Sequence, residues 1–376
     1  MCAKKLTIVS DTAIFHSNNS YYGFGPVVRE IEFVEHLFDQ ITWIGFDRQD
    51  RIGDLSMQKI QSNKIKFILL KNVGGKGLFS FLKILTQYPF MFFVIYRQIQ
   101  KSDIIHTRAP SHPALIAILI SYFFNKNKIW WNKYAGDWGQ IEAPSSYRFQ
   151  RNILKKATFS NVTINGFWSN QPKHCFSFEN PCLTKNDIEN GKVIAKNKTF
   201  SSPYTFCFVG RFDNVKGVSI LLDALKRIPP QMIEKIHLIG DGHKLNVYKE
   251  QAKELVDKAV FHGFLQKNEL HKFMEESHFL LLPSKAEGFP KVVAEAACYG
   301  TIPIVSNVGS IPHYINVNNG FLWKINDKNS SYEQVLENAL KSDKTELQNK
   351  SMEVLKLAEL FTFENYLRKL ETYILK

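Results

Sequence analysis

At 376 residues, 44% hydrophobic and 22% charged, the chain has the length and composition of a two-domain globular protein, not of a disordered or fibrous one. Its formal net charge of +13 is uneven: residues 1–175 hold 22 basic against 11 acidic residues, and residues 176–376 hold 26 against 24. Five scattered cysteines (Cys2, Cys175, Cys182, Cys207 and Cys298) include no Cys-x-x-Cys pair, which argues against a disulfide framework or a zinc site and fits a reducing cytoplasm.

The start, "MCAKKLTIVSD", runs straight into a strand-like segment and does not read as a secretory signal. Strands are expected at 5–10, 40–46, 64–70, 103–108 and 127–134, with helical patterns between them. The plan repeats at 204–210, 235–240, 259–264, 278–284 and 301–306. Continuous apolar strands with helical crossovers imply parallel sheets covered on both faces, so the expected fold is α/β with two doubly wound, Rossmann-like domains. Ligand sites then belong at the carboxyl ends of the strands. The expected boundaries are 1–183 for the first domain, a polar linker at 184–203, the second domain at 204–355, and a C-terminal helix at 356–376 that could pack back on the first domain.

The apolar segments at 78–96 and 113–124 fall short of the roughly 20 uninterrupted residues of a bilayer span. They read as buried or interfacial helices. The basic first half suggests either a solvated surface or an anionic partner: a membrane face, a phosphorylated lipid or nucleic acid.

Residues 283–300, "PSKAEGFPKVVAEAACYG", carry Glu287 and Glu295 eight positions apart. On one ideal helix the pair would stand about 80° apart in azimuth and two turns apart in height, so they are poor partners for each other. Glu287 is instead expected in the loop after strand 278–284, with Pro290 at the first helical position, Glu295 in the second turn and Gly300 as the C-cap. The amides at such a helix start favour phosphate, so the flanking carboxylates more plausibly grip hydroxyls, as a nucleotide sugar would require. Arg211 and Lys216 share the short loop after strand 204–210, where two cations would neutralise a diphosphate. The chain has no Asp-x-Asp and no His/Asp/Glu cluster at metal spacing, so leaving-group charge is expected to rest on Arg211, Lys216 and amides without a metal or other cofactor.

"VGRFDNVKGVSILLDALKRI", "LIGDGHKL", "VFHGFL" and "LLPSKAEGFPKVVAEAACYGTIPIVSNVGSIPHYI" together resemble the C-terminal domain of the retaining glycosyltransferases of family 4, also called glycosyl transferases group 1. The resemblance covers about 204–325 through the Glu-x7-Glu element, and earlier residues only by order of elements. It implies the GT-B fold, two Rossmann-like domains facing across a cleft, and transfer of a sugar from a nucleotide-diphosphate sugar to a hydroxyl. It implies that Arg211 and Lys216 bind the donor diphosphate and that Glu287 contacts the transferred sugar. Gly288, Phe289 and Pro290, continuing into Lys291 and Val292, would form the donor loop, and Glu295 would hold the ribose. The backbone at His262 and Gly263 would lie near the base. "GDG" at 240–242 is a turn in this family more than a site.

In the first half, "YYGFGP" resembles the family's glycine-rich loop, with Gly23 and Gly25 permitting close approach to the donor phosphate. His106 and Arg108 follow a strand end, the histidine being either structural or on the acceptor side. Where many members carry a histidine after the next strand, this chain reads "NKYAGDW", offering Lys133 and Asp137 as acceptor-side candidates. Retention in the family is explained by front-face attack and needs no enzymic nucleophile. The resemblance and the charge together imply a cytoplasmic enzyme, peripheral at the inner membrane face, acting on a saccharide or lipid-linked acceptor in capsular, lipopolysaccharide or similar polysaccharide synthesis. A nucleotide-sugar epimerase or phosphorylase on the same fold is the alternative. A nucleic-acid binder would use the basic half but leaves the Arg211/Lys216 and Glu287/Glu295 arrangement without a purpose, so no nucleic-acid partner is expected.

Overall fold

A computed structural model describes residues 4–72, 78–124, 127–140, 143–168, 170–255 and 257–376, with the side chains of 78–85 outside the description. Cys2 lies outside the described residues, and the other four cysteines are free and buried. The chain divides into two compact units, Met1–Phe178 with Leu367–Lys376, and Glu179–Tyr366.

The first unit runs β1 (Lys5–Ser17), β2 (Ser20–Phe24), α1 (Gly25–Val34), β3 (Gln40–Asp47), β4 (Met57–Lys59), β5 (Ile65–Lys71), α2 (Leu78–Gln100), β6 (Ile104–Ala109), α3 (His112–Phe123), β7 (Ile129–Tyr134), α4 (Ser145–Lys156), β8 (Asn161–Ile164) and β9 (Cys175–Ser177). Its parallel strands lie in the order β5-β3-β1-β6-β7-β8-β9. The strand order reverses between β1 and β6, so the loops leaving those two strands diverge and open a crevice.

"YYGFGP" is not a loop. β1 continues past a bulge between Val9 and Ala13, turns at Asn18 and Asn19 (φ 48° and 55°), and pairs antiparallel with β2, which pairs in turn with β4. Two consecutive residues at positive φ suit the tight turn of a right-twisted hairpin, and asparagine tolerates that conformation. Gly23 therefore stands inside a strand and Gly25 opens α1.

The second unit runs α5 (Lys185–Asn197), β10 (Tyr204–Val209), α6 (Val218–Lys226), β11 (Ile233–Ile239), α7 (Leu245–Gln251), β12 (Ala259–Gly263), α8 (Lys267–Glu276), β13 (Phe279–Leu282), α9 (Lys291–Ala297), β14 (Ile302–Ser306), β15 (Phe321–Trp323), α10 (Tyr332–Lys341), α11 (Lys344–Leu360) and α12 (Phe363–Tyr373). Its six parallel strands lie in the order β12-β11-β10-β13-β14-β15, the doubly wound order with its reversal between β10 and β13. All four residues of the central strand β13 are buried, as expected of a strand covered on both faces.

Two boundaries differ from expectation. Residues 184–203 are not an open linker: Thr184 and Asp187 form a reciprocal capping box that starts α5. Position 355/356 falls inside α11, whose buried Val354, Leu355, Leu357 and Ala358 carry the packing across it. From Leu367 onward α12 belongs to the first unit, where Tyr373 stacks on Phe176 and Asn161 donates to the Ile374 carbonyl.

Candidate active site

The carboxyl edge of the second sheet is built around two loops at the strand reversal. After β10, Asp213 Oδ1 accepts the amides of Val215 (2.9 Å) and Lys216 (3.0 Å), curling the loop so that Lys216 turns back toward the sheet. Lys216 Nζ donates to Glu287 Oε1 at 2.5 Å, across to the loop after β13. The Lys285 amide donates to the Val215 carbonyl at 2.7 Å, so backbone also laces the two loops. Gly217 sits at φ 71° against Pro283, where a Cβ would overlap the Pro283 carbonyl oxygen. Arg211 stands 74% exposed beside Asp213, 3.1 Å away. The edge thus presents a fixed cation–carboxylate pair with a second, outward-reaching cation beside it.

The "GDG" turn buttresses the cation loop, Asp241 accepting the Phe212 amide and Gly242 packing where a Cβ would meet the Phe212 backbone. Gly263 ends β12 at φ 71° with open space around it and accepts the Gly240 amide. His262 Nε2 lies 2.9 Å from His237 Nδ1, and burial lowers both rings, His237 to about 4.

The donor-loop candidates divide. Gly288 opens onto free space, and its carbonyl accepts both the amide and the hydroxyl of Ser310. Phe289 instead points inward, stacked on Phe361 at 4.6 Å and edge-on to Tyr314 at 4.7 Å, so it anchors the loop. Pro290 is the N-cap residue, one place before the expected first helical position, and Gly300 takes φ 65° just past the helix end. Lys291 Nζ is turned to the Pro181 carbonyl at 2.9 Å, and Val292 packs against the core. Glu295 lies half-buried on α9.

In the first unit, His106, Arg108 and Lys133 come together around Glu30 of α1. Lys133 Nζ reaches both Glu30 oxygens at 2.8 Å, and Arg108 reaches Oε1 at 2.8 Å. Glu30 and Lys133 are each 2% exposed. Buried charges persist only when paired in this way. His106 is fully buried, flat against Trp131, with Nδ1 3.1 Å from the Trp131 carbonyl; burial first, then Arg108, hold it well below its usual range. It is therefore neutral and interior. Asp137 is apart from this cluster, accepting the Gly139 amide, and burial raises its carboxyl. At the strand reversal between β1 and β6 lies a cavity of about 570 Å³, lined by Asp11, Phe24, Arg48, Arg51, Arg108 and Tyr147 among others.

Residues 190–353 match the family model described as glycosyl transferases group 1. The matched residues lie within the second unit. The chain is similar to an uncharacterized 41.2 kDa protein of the cps region of Klebsiella pneumoniae, 33% identical over 39% of this chain and 40% of that one. It is also similar to lipopolysaccharide 1,6-galactosyltransferase of Escherichia coli, 35% identical over 32% and 34% of the two chains. The chain thus matches less than half the length of these curated relatives. The solved structure of Anabaena Alr3699/HepE in complex with UDP-glucose aligns over 98% of both chains with a TM-score of 0.66 at 17% identity. That likeness is one of fold, the GT-B architecture of two Rossmann-like units.

Glu30, Asp213, Gly217, Gly309 and Ser310 were not picked out from sequence. Gly309, at φ 57°, lets the Glu287 carbonyl pass where a Cβ would overlap it. Its signal was present in "NVGS", a small-residue turn directly after a buried strand.

Proposed function

We propose that this chain is a retaining, metal-independent glycosyltransferase of family 4 that moves a sugar from a nucleotide-diphosphate sugar to a hydroxyl of a saccharide or lipid-linked acceptor in cell-surface polysaccharide synthesis. The observation that carries the reading is the Lys216–Glu287 pair at the strand reversal, with Arg211 beside it. Lys216 and Arg211 take the diphosphate, Glu287 accepts hydrogen bonds from the sugar hydroxyls, and Glu295 those of the ribose. Gly288, bare of side chain, lets the sugar approach the loop backbone. Arg211 and Lys216 stand together beside the β13 loop, which favours cations and amides as the leaving-group stabilisers.

In the proposed step the acceptor oxygen bonds to the anomeric carbon on the face the diphosphate is leaving. The carbon–oxygen bond to phosphate breaks with its electron pair going to the diphosphate, and the acceptor proton passes to a phosphate oxygen. No side-chain nucleophile is needed. The UDP-glucose bound to HepE and the lipopolysaccharide and cps-region relatives support a nucleotide-sugar donor and a polysaccharide setting. The cavity at the β1/β6 reversal is the acceptor-side candidate, and the cationic first half suits peripheral work at the inner face of the cell membrane.

The test is product analysis by NMR with and without an acceptor. Transfer gives a glycoside whose anomeric configuration matches the donor's. An isomerised nucleotide sugar formed without acceptor, or free sugar phosphate formed with inorganic phosphate, identifies an epimerase or phosphorylase instead.

A further inference from the structure

We propose that the outer face formed by α2, α3 and α4 of the first unit is a docking surface for an anionic lipid bilayer. The inference deepens the peripheral placement proposed above by naming the surface that performs it.

α2 buries Met91, Ile95 and Ile99 at four-residue spacing, which fixes its inward side. On a water-exposed helix the opposite side would be polar. Here it carries Phe92 and Phe93, 43% and 61% exposed. Tyr96 stacks on Phe92 at 5.9 Å and meets Phe124 edge-on at 6.3 Å, which joins α2 to the end of α3. There Phe123 and Phe124 are 67% and 64% exposed. Phe149 of α4 and Phe123 line a groove of about 450 Å³ together with Lys156. Single exposed aromatics are ordinary on a protein surface, but a connected field of them across three helices is an interaction site.

Charge selects the occupant. α2, α3 and α4 contain no acidic residue. Residues 71–178 hold 14 Lys and Arg against three acidic residues, Asp103, Asp137 and Glu142, a net +11 that equals the excess of the whole first half. Arg97 follows Tyr96, and Arg148, Lys155 and Lys156 are exposed on α4 beside Phe149. Aromatic rings seated at the acyl boundary with cations at the headgroup level match both halves of an anionic bilayer surface. No helix among the described residues is long and apolar enough to cross a membrane, so the contact lies along the surface.

The experiment is co-sedimentation of the full chain with phosphatidylglycerol–phosphatidylcholine vesicles and with phosphatidylcholine vesicles, at low and high salt. Wild type should bind the anionic vesicles at low salt, release at high salt, and bind neutral vesicles at least about tenfold more weakly. Phe93→Ser/Phe123→Ser and Lys155→Gln/Lys156→Gln should each weaken anionic binding by about tenfold or more, with unchanged thermal melting. Titration of UDP, GDP and ADP on the same samples reports the donor site separately. Nucleotide binding without vesicle binding overturns the docking surface alone, and vesicle binding without nucleotide binding overturns the donor reading alone. Equal binding to neutral vesicles, or self-association abolished by the Phe variant in a chain that ignores vesicles, also overturns the proposal and assigns the face elsewhere.

Discussion

Lys216 Nζ lies 2.5 Å from Glu287 Oε1, tying the loop after β10 to the loop after β13 where the strand order of the second sheet reverses. Each group holds the other in place while the donor is absent. A bound diphosphate and sugar would compete for both, so their roles separate by mutation. Glu287→Gln should lower kcat by about 100-fold while nucleoside-diphosphate affinity stays within about threefold. Lys216→Ala should weaken the nucleoside diphosphate itself. Initial rates and calorimetry on the two variants make the check.

The loop geometry rests on glycines that no other residue can replace. Gly217→Ala and Gly309→Ala each force a side chain into the left-handed region and against a carbonyl oxygen of the partner loop. Each should cost about 2–4 kcal/mol of unfolding free energy in urea titration, and any folded protein should bind donor poorly. Gly288→Ala, with open space at that position, should leave stability nearly unchanged.

Glu30 neutralises two cations in the interior of the first unit. Glu30→Ala strands Lys133 in a site where it is 2% exposed, and should cost about 3–5 kcal/mol. The double variant Glu30→Gln/Lys133→Met should recover much of that loss. Thermal melts of the single and double variants test the coupling.

His271 is buried, with Nδ1 2.6 Å from the Tyr299 hydroxyl and no partner at Nε2 among the described residues, and burial lowers it to about 4. His106 is lowered in the same direction. An unfolded histidine titrates near 6.5, so the unfolded chain binds protons that these folded sites refuse. The stability they contribute is complete above that pH and is lost as pH falls toward 4. Between pH 7.5 and 5.5 His271 should account for about 1 kcal/mol of lost unfolding free energy, with His106 adding in the same direction. His271→Phe should flatten the pH profile by its share, as denaturant titrations across that range would reveal.

The second sheet was legible because its strands are buried on both faces and therefore read as unbroken apolar runs, Phe279–Leu282 most plainly. Its loops were legible because Arg211, Lys216 and Glu287 follow those strands directly. Side-chain direction was not. Phe289 sits in the donor loop by sequence, yet turns inward because Phe361 arrives from far down the chain to stack on it. Glu30 reads as an ordinary helix glutamate, and only partners 78 and 103 residues away make it a buried hub. β2 and β4 were missed because these short, only partly buried antiparallel strands lack the apolar continuity of the parallel ones, although the Asn18–Asn19 pair marked the turn. The helix at Lys185–Asn197 hid in polar residues whose capping box, not their apolar content, announces it.

Donor chemistry without a metal predicts that EDTA leaves the initial rate within about twofold, since Arg211 and Lys216 already supply the positive charge. Loss of activity in EDTA with recovery in Mg²⁺ would remove that part of the account.

The central claim is that the β10 and β13 loops grip a nucleotide-diphosphate sugar. Calorimetric titration of wild type and Lys216→Ala with UDP, GDP and ADP sugars tests it most directly. The account predicts that one nucleotide series binds the wild type and binds the variant at least about tenfold more weakly. Absence of binding by every series, or equal binding to both proteins, would contradict it.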